Sequence, residues 1–173
     1  MCLEWVQIII GIITILALLA GGGVMLWILN KPKVYLLRKP RGLWYYTFKD
    51  GVAKAGSEIL LSLMLQNKGV EATSIVIWFE AEFSDSSMKA VYWAKDTIRL
   101  QGNLALTRAS VSLYLSIDKG QPPEGETLHG LLFLEPVGNR RLIFGRKVLT
   151  ERIDIPFSDS IIKAKMEYAD SLF

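Results

Sequence analysis

Trp5-Val-Gln-Ile-Ile-Ile-Gly-Ile-Ile-Thr-Ile-Leu-Ala-Leu-Leu-Ala-Gly-Gly-Gly-Val-Met-Leu-Trp-Ile-Leu29 contains no charged residue. At about 1.5 Å of rise per residue, about 25 helical residues reach about 37 Å, against about 30 Å for a hydrocarbon core. Gln7 and Thr14 are its clearly polar side chains, and a helical Thr14 returns its hydroxyl to a carbonyl one turn earlier. Trp5 and Trp27 lie near the two ends, where an indole prefers the headgroup level. The stretch therefore predicts a single N-terminal transmembrane helix, with residues 1–30 as the anchor.

Two other readings fit less well. A cleavable signal peptide has a basic start and a short apolar core. Here the start is Met1-Cys2-Leu3-Glu4, and the apolar run is about twice as long as such a core. A buried helix of a globular protein carries a polar face, and this run has none.

The flanks predict an orientation. Lys31, Lys33, Arg38, Lys39 and Arg41 follow the run, while only Glu4 and the terminal amine precede it. The positive-inside rule then places the N-terminus outside and the following domain on the cytoplasmic side of the cell membrane. Residues 31–42 read as a basic juxtamembrane linker, with the lipid bilayer as one partner.

The rest of the chain is sized for one domain: 173 residues less the anchor leave roughly 130. The charge of +3 and pI of about 9.0 are mildly basic. Without a dense Lys/Arg run or a nucleic-acid motif, no nucleic-acid partner is expected. The single cysteine, Cys2, allows no internal disulfide and leans toward a reducing compartment. Within the helix, Gly11, Thr14, Ala17 and Gly21 recur at spacings that share one face. That face suits close packing against another membrane subunit or a second copy.

Beyond Asn30-Lys31-Pro32 the pattern changes to a period of two. Leu43 to Phe48 is strongly β-prone. Ile59, Leu61, Leu63 and Leu65 alternate with Leu60, Ser62, Met64 and Gln66. Ile75, Ile77, Phe79 and Ala81 oppose Glu80 and Glu82, and Val111, Leu113 and Leu115 oppose Ser112, Tyr114 and Ser116. Further strands are expected near Lys89–Trp93, Thr97–Gln101, Thr127–Leu134 and Lys147–Ile155, with turns at Asn67-Lys68-Gly69, Gly102-Asn103 and Gly138-Asn139. Residues 43–157 thus read as an all-β domain. Phe157-Ser158-Asp159-Ser160 supplies caps for a short C-terminal helix in the tail, 158–173.

The run Glu58-Ile59-Leu60-Leu61-Ser62-Leu63-Met64-Leu65-Gln66-Asn67-Lys68-Gly69, followed by Ile75-Val76-Ile77-Trp78-Phe79, resembles the strand–Asn-x-Gly–strand pattern of immunoglobulin-like modules. It is similar in style to adhesion-type and water-stress-type β domains. The resemblance covers about a quarter of the chain and lacks the Cys…Trp…Cys spacing of true immunoglobulin domains. It implies an antiparallel sandwich, a small β-barrel being the alternative, and a tendency to bind partners.

Searches for chemistry return no catalytic, cofactor or metal set. His129 is the only histidine and Cys2 the only cysteine, so no zinc or copper site assembles. There is no Gly-x-Ser-x-Gly elbow and no phosphate-cradling glycine loop after a strand. Arg140, Arg141, Arg146, Lys147 and Arg152 cluster across the expected last hairpin as a basic patch for an anion or an acidic partner. The expectation is a non-enzymatic, single-pass accessory or assembly subunit whose sandwich is an interaction domain. The alternative is an anchored sensor whose β domain binds a small anionic ligand such as a signalling nucleotide.

Overall fold

In the computed structural model, the backbone is described for residues 2–49, 52–82, 89–116, 122–137 and 148–170. Side chains are described for 10–25, 31–47, 56–82, 90–116, 122–137 and 148–170. Helix α1 covers Cys2–Asn30 and α2 covers Ile161–Asp170. Between them lie β1 (Val34–Leu36), β2 (Arg41–Lys49), β3 (Val52–Asn67), β4 (Thr73–Glu82), β5 (Lys89–Ala94), β6 (Ile98–Leu100), β7 (Leu106–Leu115), β8 (Leu128–Val137) and β9 (Leu149–Ile155).

The strands form one sheet in the order β1-β3-β7-β5-β4-β8-β9, with β2 also on β3 and β6 also on β4. Every strand pairing is antiparallel. The sheet curls until its ends meet. The Trp44 amide donates to the Pro156 carbonyl at 3.0 Å, and the Ser158 amide donates to the Trp44 carbonyl at 2.8 Å. A parallel bridge between Trp44 and Phe157 thus brings the chain after β9 onto β2. This nearly closed, barrel-like sheet corrects the expected immunoglobulin-like sandwich, which needs two sheets packed face to face. Closure removes most of the open edge that a flat sheet would leave unpaired.

Alternation decides which side chains go inside. On β4 every second residue from Thr73 to Ala81 is buried. The interior holds Ile59, Leu61, Leu63 and Leu65 of β3, Ile75, Ile77 and Phe79 of β4, Leu113 of β7, and Leu132 and Leu134 of β8. Each such side chain contributes about 1.5–3 kcal/mol on leaving water. Trp44 sits among them, fully buried, and its indole N–H donates to the Glu126 carbonyl at 2.7 Å.

Residues 31–42 fold onto β3. The Leu37 amide donates to Met64 O and the Lys68 amide to Lys33 O, both at 2.9 Å. Asn67, fully buried, ties this corner together. Its Oδ1 accepts the amides of Lys33 and Gly69 at 3.0 Å, and its Nδ2 donates to Glu71 O at 2.7 Å.

The C-terminal helix begins at a cap: Ser160 Oγ accepts the Lys163 amide at 3.1 Å. Ala164 and Tyr168 then pack on Tyr45 and Leu60, so α2 docks on the outer face of the chain's own sheet. The Tyr168 hydroxyl donates to the Leu61 carbonyl.

The expected membrane span is also corrected. Among the described residues no helix is long and apolar enough to cross a membrane. The single-pass anchor, the cell-membrane location and the orientation drawn from it fall with that span.

Candidate functional site

Two features stand out from the barrel: an uncovered apolar helix and a cleft at the closure seam. From Ile10 to Met25 every described side chain of α1 is exposed, Leu18 at 70% and Leu19 at 67%. Gly11, Thr14, Ala17 and Gly21 all lie in this part. A Cβ added at Gly11 or Gly21 would meet nothing within 4 Å, so no described residue packs on that face. Thr14 Oγ1 donates to Ile10 O at 2.8 Å, which satisfies its hydroxyl within the helix as its sequence position suggested. The side chains of Trp5 and Trp27 lie outside the described residues.

The basic residues expected beside a membrane are distributed differently. Lys31 is half-buried, and its carbonyl lies where a Cβ at Gly69 would stand, so these two segments touch through backbone. Lys33, Arg38, Lys39 and Arg41 are exposed. Lys39 and Arg41 line a cleft of about 350 Å³ together with Pro40, Gly42, Leu43, Asp154, Pro156, Glu167 and Tyr168. Three stretches far apart in sequence supply it: the entry to β2, the exit of β9 and the last turn of α2. A Cβ at Gly42 would lie 2.6 Å from Leu61 Cδ2 and 2.8 Å from the Leu60 carbonyl, so glycine lets β2 press onto β3 beside the cleft.

Asp154 links the cleft to the outer surface of β8. His129 and Asp154 are directly opposite in the β8–β9 register, with His129 Nδ1 2.8 Å from Asp154 Oδ1. That hydrogen bond, followed by the nearby charges of His129, Lys39 and Arg152, holds the Asp154 carboxyl below the usual aspartate range. No described hydroxyl or thiol hydrogen-bonds the other imidazole nitrogen, so the pair lacks the nucleophile of a triad among the described residues. Among the described residues, no group of three or more His, Cys, Asp or Glu is arranged to hold a metal ion.

Of the expected basic patch, Arg140, Arg141, Arg146 and Lys147 lie outside the described residues. Arg152 is described, and its guanidinium donates to Glu82 Oε2 at 3.2 Å across an exposed surface. Glu80, which shares the outward face with Glu82, accepts the Trp78 indole N–H at 3.2 Å.

Sequence reasoning missed one further surface. Tyr114, Trp93, Trp78 and Phe133 form a single row across β7, β5, β4 and β8, because each is registered opposite the next. Trp78 stacks on Trp93 at 5.3 Å and on Phe133 at 5.0 Å. Trp78 thus lies between two rings, in cross-strand pairs that stabilise the sheet, while Trp93 and Tyr114 stay exposed. The signal was present in the outward positions of the alternation, but the register joining them was not.

No protein-family model matches the chain, and no curated protein sequence matches it either. A solved structure described as a protein from Archaeoglobus fulgidus is similar at a TM-score of 0.41 and 13% identity, covering 69% of this chain and 95% of that one. Likeness at that level carries no argument about activity.

Proposed function

We propose that the protein is a non-enzymatic assembly subunit. In this reading α1 seats against an apolar helix of a second copy or of a partner chain, and the barrel is the binding module it brings along. The observation that supports it is the continuous exposure of α1 between Ile10 and Met25. Nine large apolar side chains there are more than half exposed, and each gains up to about 1.5–3 kcal/mol on being covered. Covering even half of them is comparable with the about 4–15 kcal/mol that association costs. The face carrying Gly11, Ala17 and Gly21 lets a partner helix approach closely, because interaxial distance follows side-chain size at the contact.

Cys2, the only cysteine, gives a probe at one end of this helix. A thiol–amine cross-linker added to extract from expressing cells is expected to shift the 19.4 kDa chain to a discrete larger product. Gly21→Leu is expected to abolish that product by holding the partner away. A chain that stays at 19.4 kDa in the wild type, or a product unchanged by Gly21→Leu and Ala17→Leu together, contradicts the reading.

A further inference from the structure

We infer that the cleft between the entry to β2, the exit of β9 and α2 binds a small zwitterion, a free amino acid or dipeptide carrying one carboxylate and one ammonium group. Its volume of about 350 Å³ lies near the lower end of the range of ligand pockets, about 300–1,000 Å³. The charges lining it balance: Lys39 and Arg41 are positive, Asp154 and Glu167 negative. The two signs come from different elements, the cations from the β2 entry and the carboxylates from β9 and α2.

That division selects against ligands of a single sign. An anion drawn to Lys39 and Arg41 meets two carboxylates, and a cation drawn to Asp154 and Glu167 meets two basic side chains. A zwitterion places each of its charges beside its opposite. Among the described residues, Arg41 and Glu167 form no ion pair. His129 holds Asp154 at the cleft margin through the 2.8 Å contact. The remaining lining is apolar, with Pro40, Leu43, Pro156 and the Tyr168 ring to receive aliphatic carbon. The Tyr168 hydroxyl is already committed to the Leu61 carbonyl.

The walls are set before any ligand arrives. The hydrogen bond from the Trp44 amide to Pro156 O fixes the β9 side against β2, and Tyr168 fixes α2 against β3. A ligand therefore meets walls whose backbone is already in place, which spares the cost of ordering them.

The test is calorimetric titration of the full-length chain with alanyl-alanine, its N-acetyl form and its C-terminal amide. Saturable binding of the zwitterion is expected, weakened about tenfold or more when either terminus is blocked, since each blocked end loses a charge-assisted hydrogen bond. Arg41→Gln is expected to weaken the dipeptide while leaving the amide unaffected, and Glu167→Gln to weaken it while leaving the acetylated form unaffected. Both positions are exposed, so the variants keep the fold. No saturable heat at millimolar dipeptide, or equal binding of all three compounds, overturns the assignment.

Discussion

The Trp44 indole packs edge-on against the Phe157 ring at a centroid separation of 4.6 Å, at the point where the chain leaving β9 meets β2. Tyr46 joins the same cluster, 5.4 Å from Trp44 and 5.9 Å from Phe157. Ring packing and two backbone hydrogen bonds thus converge on one seam, and the barrel's closure depends on it. Trp44→Ala is expected to cost about 3–5 kcal/mol, through lost burial and the cavity left behind. Urea unfolding of both chains checks this, with the midpoint falling at unchanged slope if the native state stays closed.

Asn67 is the second fixed point. Its side chain satisfies two backbone N–H groups and one carbonyl, from Lys33, Gly69 and Glu71. Asn67→Ala leaves those groups without their partner at a buried corner, at about 1–3 kcal/mol for each that water cannot reach. Hydrogen exchange is expected to report the loss locally, with faster exchange at the Lys33 and Gly69 amides in the variant.

Acid stability carries a signature of the His129–Asp154 pair. Because the folded protein holds the Asp154 carboxyl below its ordinary range, its contribution is present above the unfolded aspartate pKa. It is lost as pH falls through the lowered folded value. His129→Ala removes the leading cause of the depression, so the Asp154 carboxyl is expected to titrate higher, closer to an ordinary aspartate. Carboxyl carbon shifts followed by NMR against pH measure this directly.

At the alkaline end Tyr92 acts with the opposite sign. Burial is the main cause that pushes its phenol up to about 12 from 10.0, offset in part by the 2.9 Å hydrogen bond with Ser57. The stability it contributes is fully present below pH 10 and is lost as pH rises toward 12. Tyr92→Phe is expected to unfold less steeply over that window, at about 1 kcal/mol lower stability near neutral pH from the unpaired Ser57 hydroxyl. Thermal unfolding across the alkaline range separates the two effects.

Several of these relationships were legible in the residues and several were not. Strict alternation located β3, β4 and β7 and the inward faces of Ile59, Ile75 and Val111, because period two is a local property. The same alternation fits a sandwich and a barrel equally, since both bury every other residue. What separates them is the meeting of Trp44 with Phe157, a pairing between distant stretches that no local pattern encodes. The charge-free run from Trp5 gave the helix, but among the described residues no helix is long and apolar enough to cross a membrane. Asn67-Lys68-Gly69 read as a turn, while the bond from Asn67 back to Lys33 depends on residues 31–42 folding over β3. The cleft was invisible for the same reason: Lys39, Asp154 and Glu167 become neighbours only when the ends of β2, β9 and α2 converge. His129 stood in the sequence only as the single histidine, and its partner Asp154 emerged once the β8–β9 register set the two opposite.

The most direct test of α1 as an assembly element is the sedimentation mass of the full-length chain, measured beside Gly21→Leu. The wild type is predicted to sediment as a discrete species above 19.4 kDa, and the variant to shift toward 19.4 kDa. A wild-type chain that sediments as a single 19.4 kDa species both when purified and in extract of the cells that express it would contradict the account.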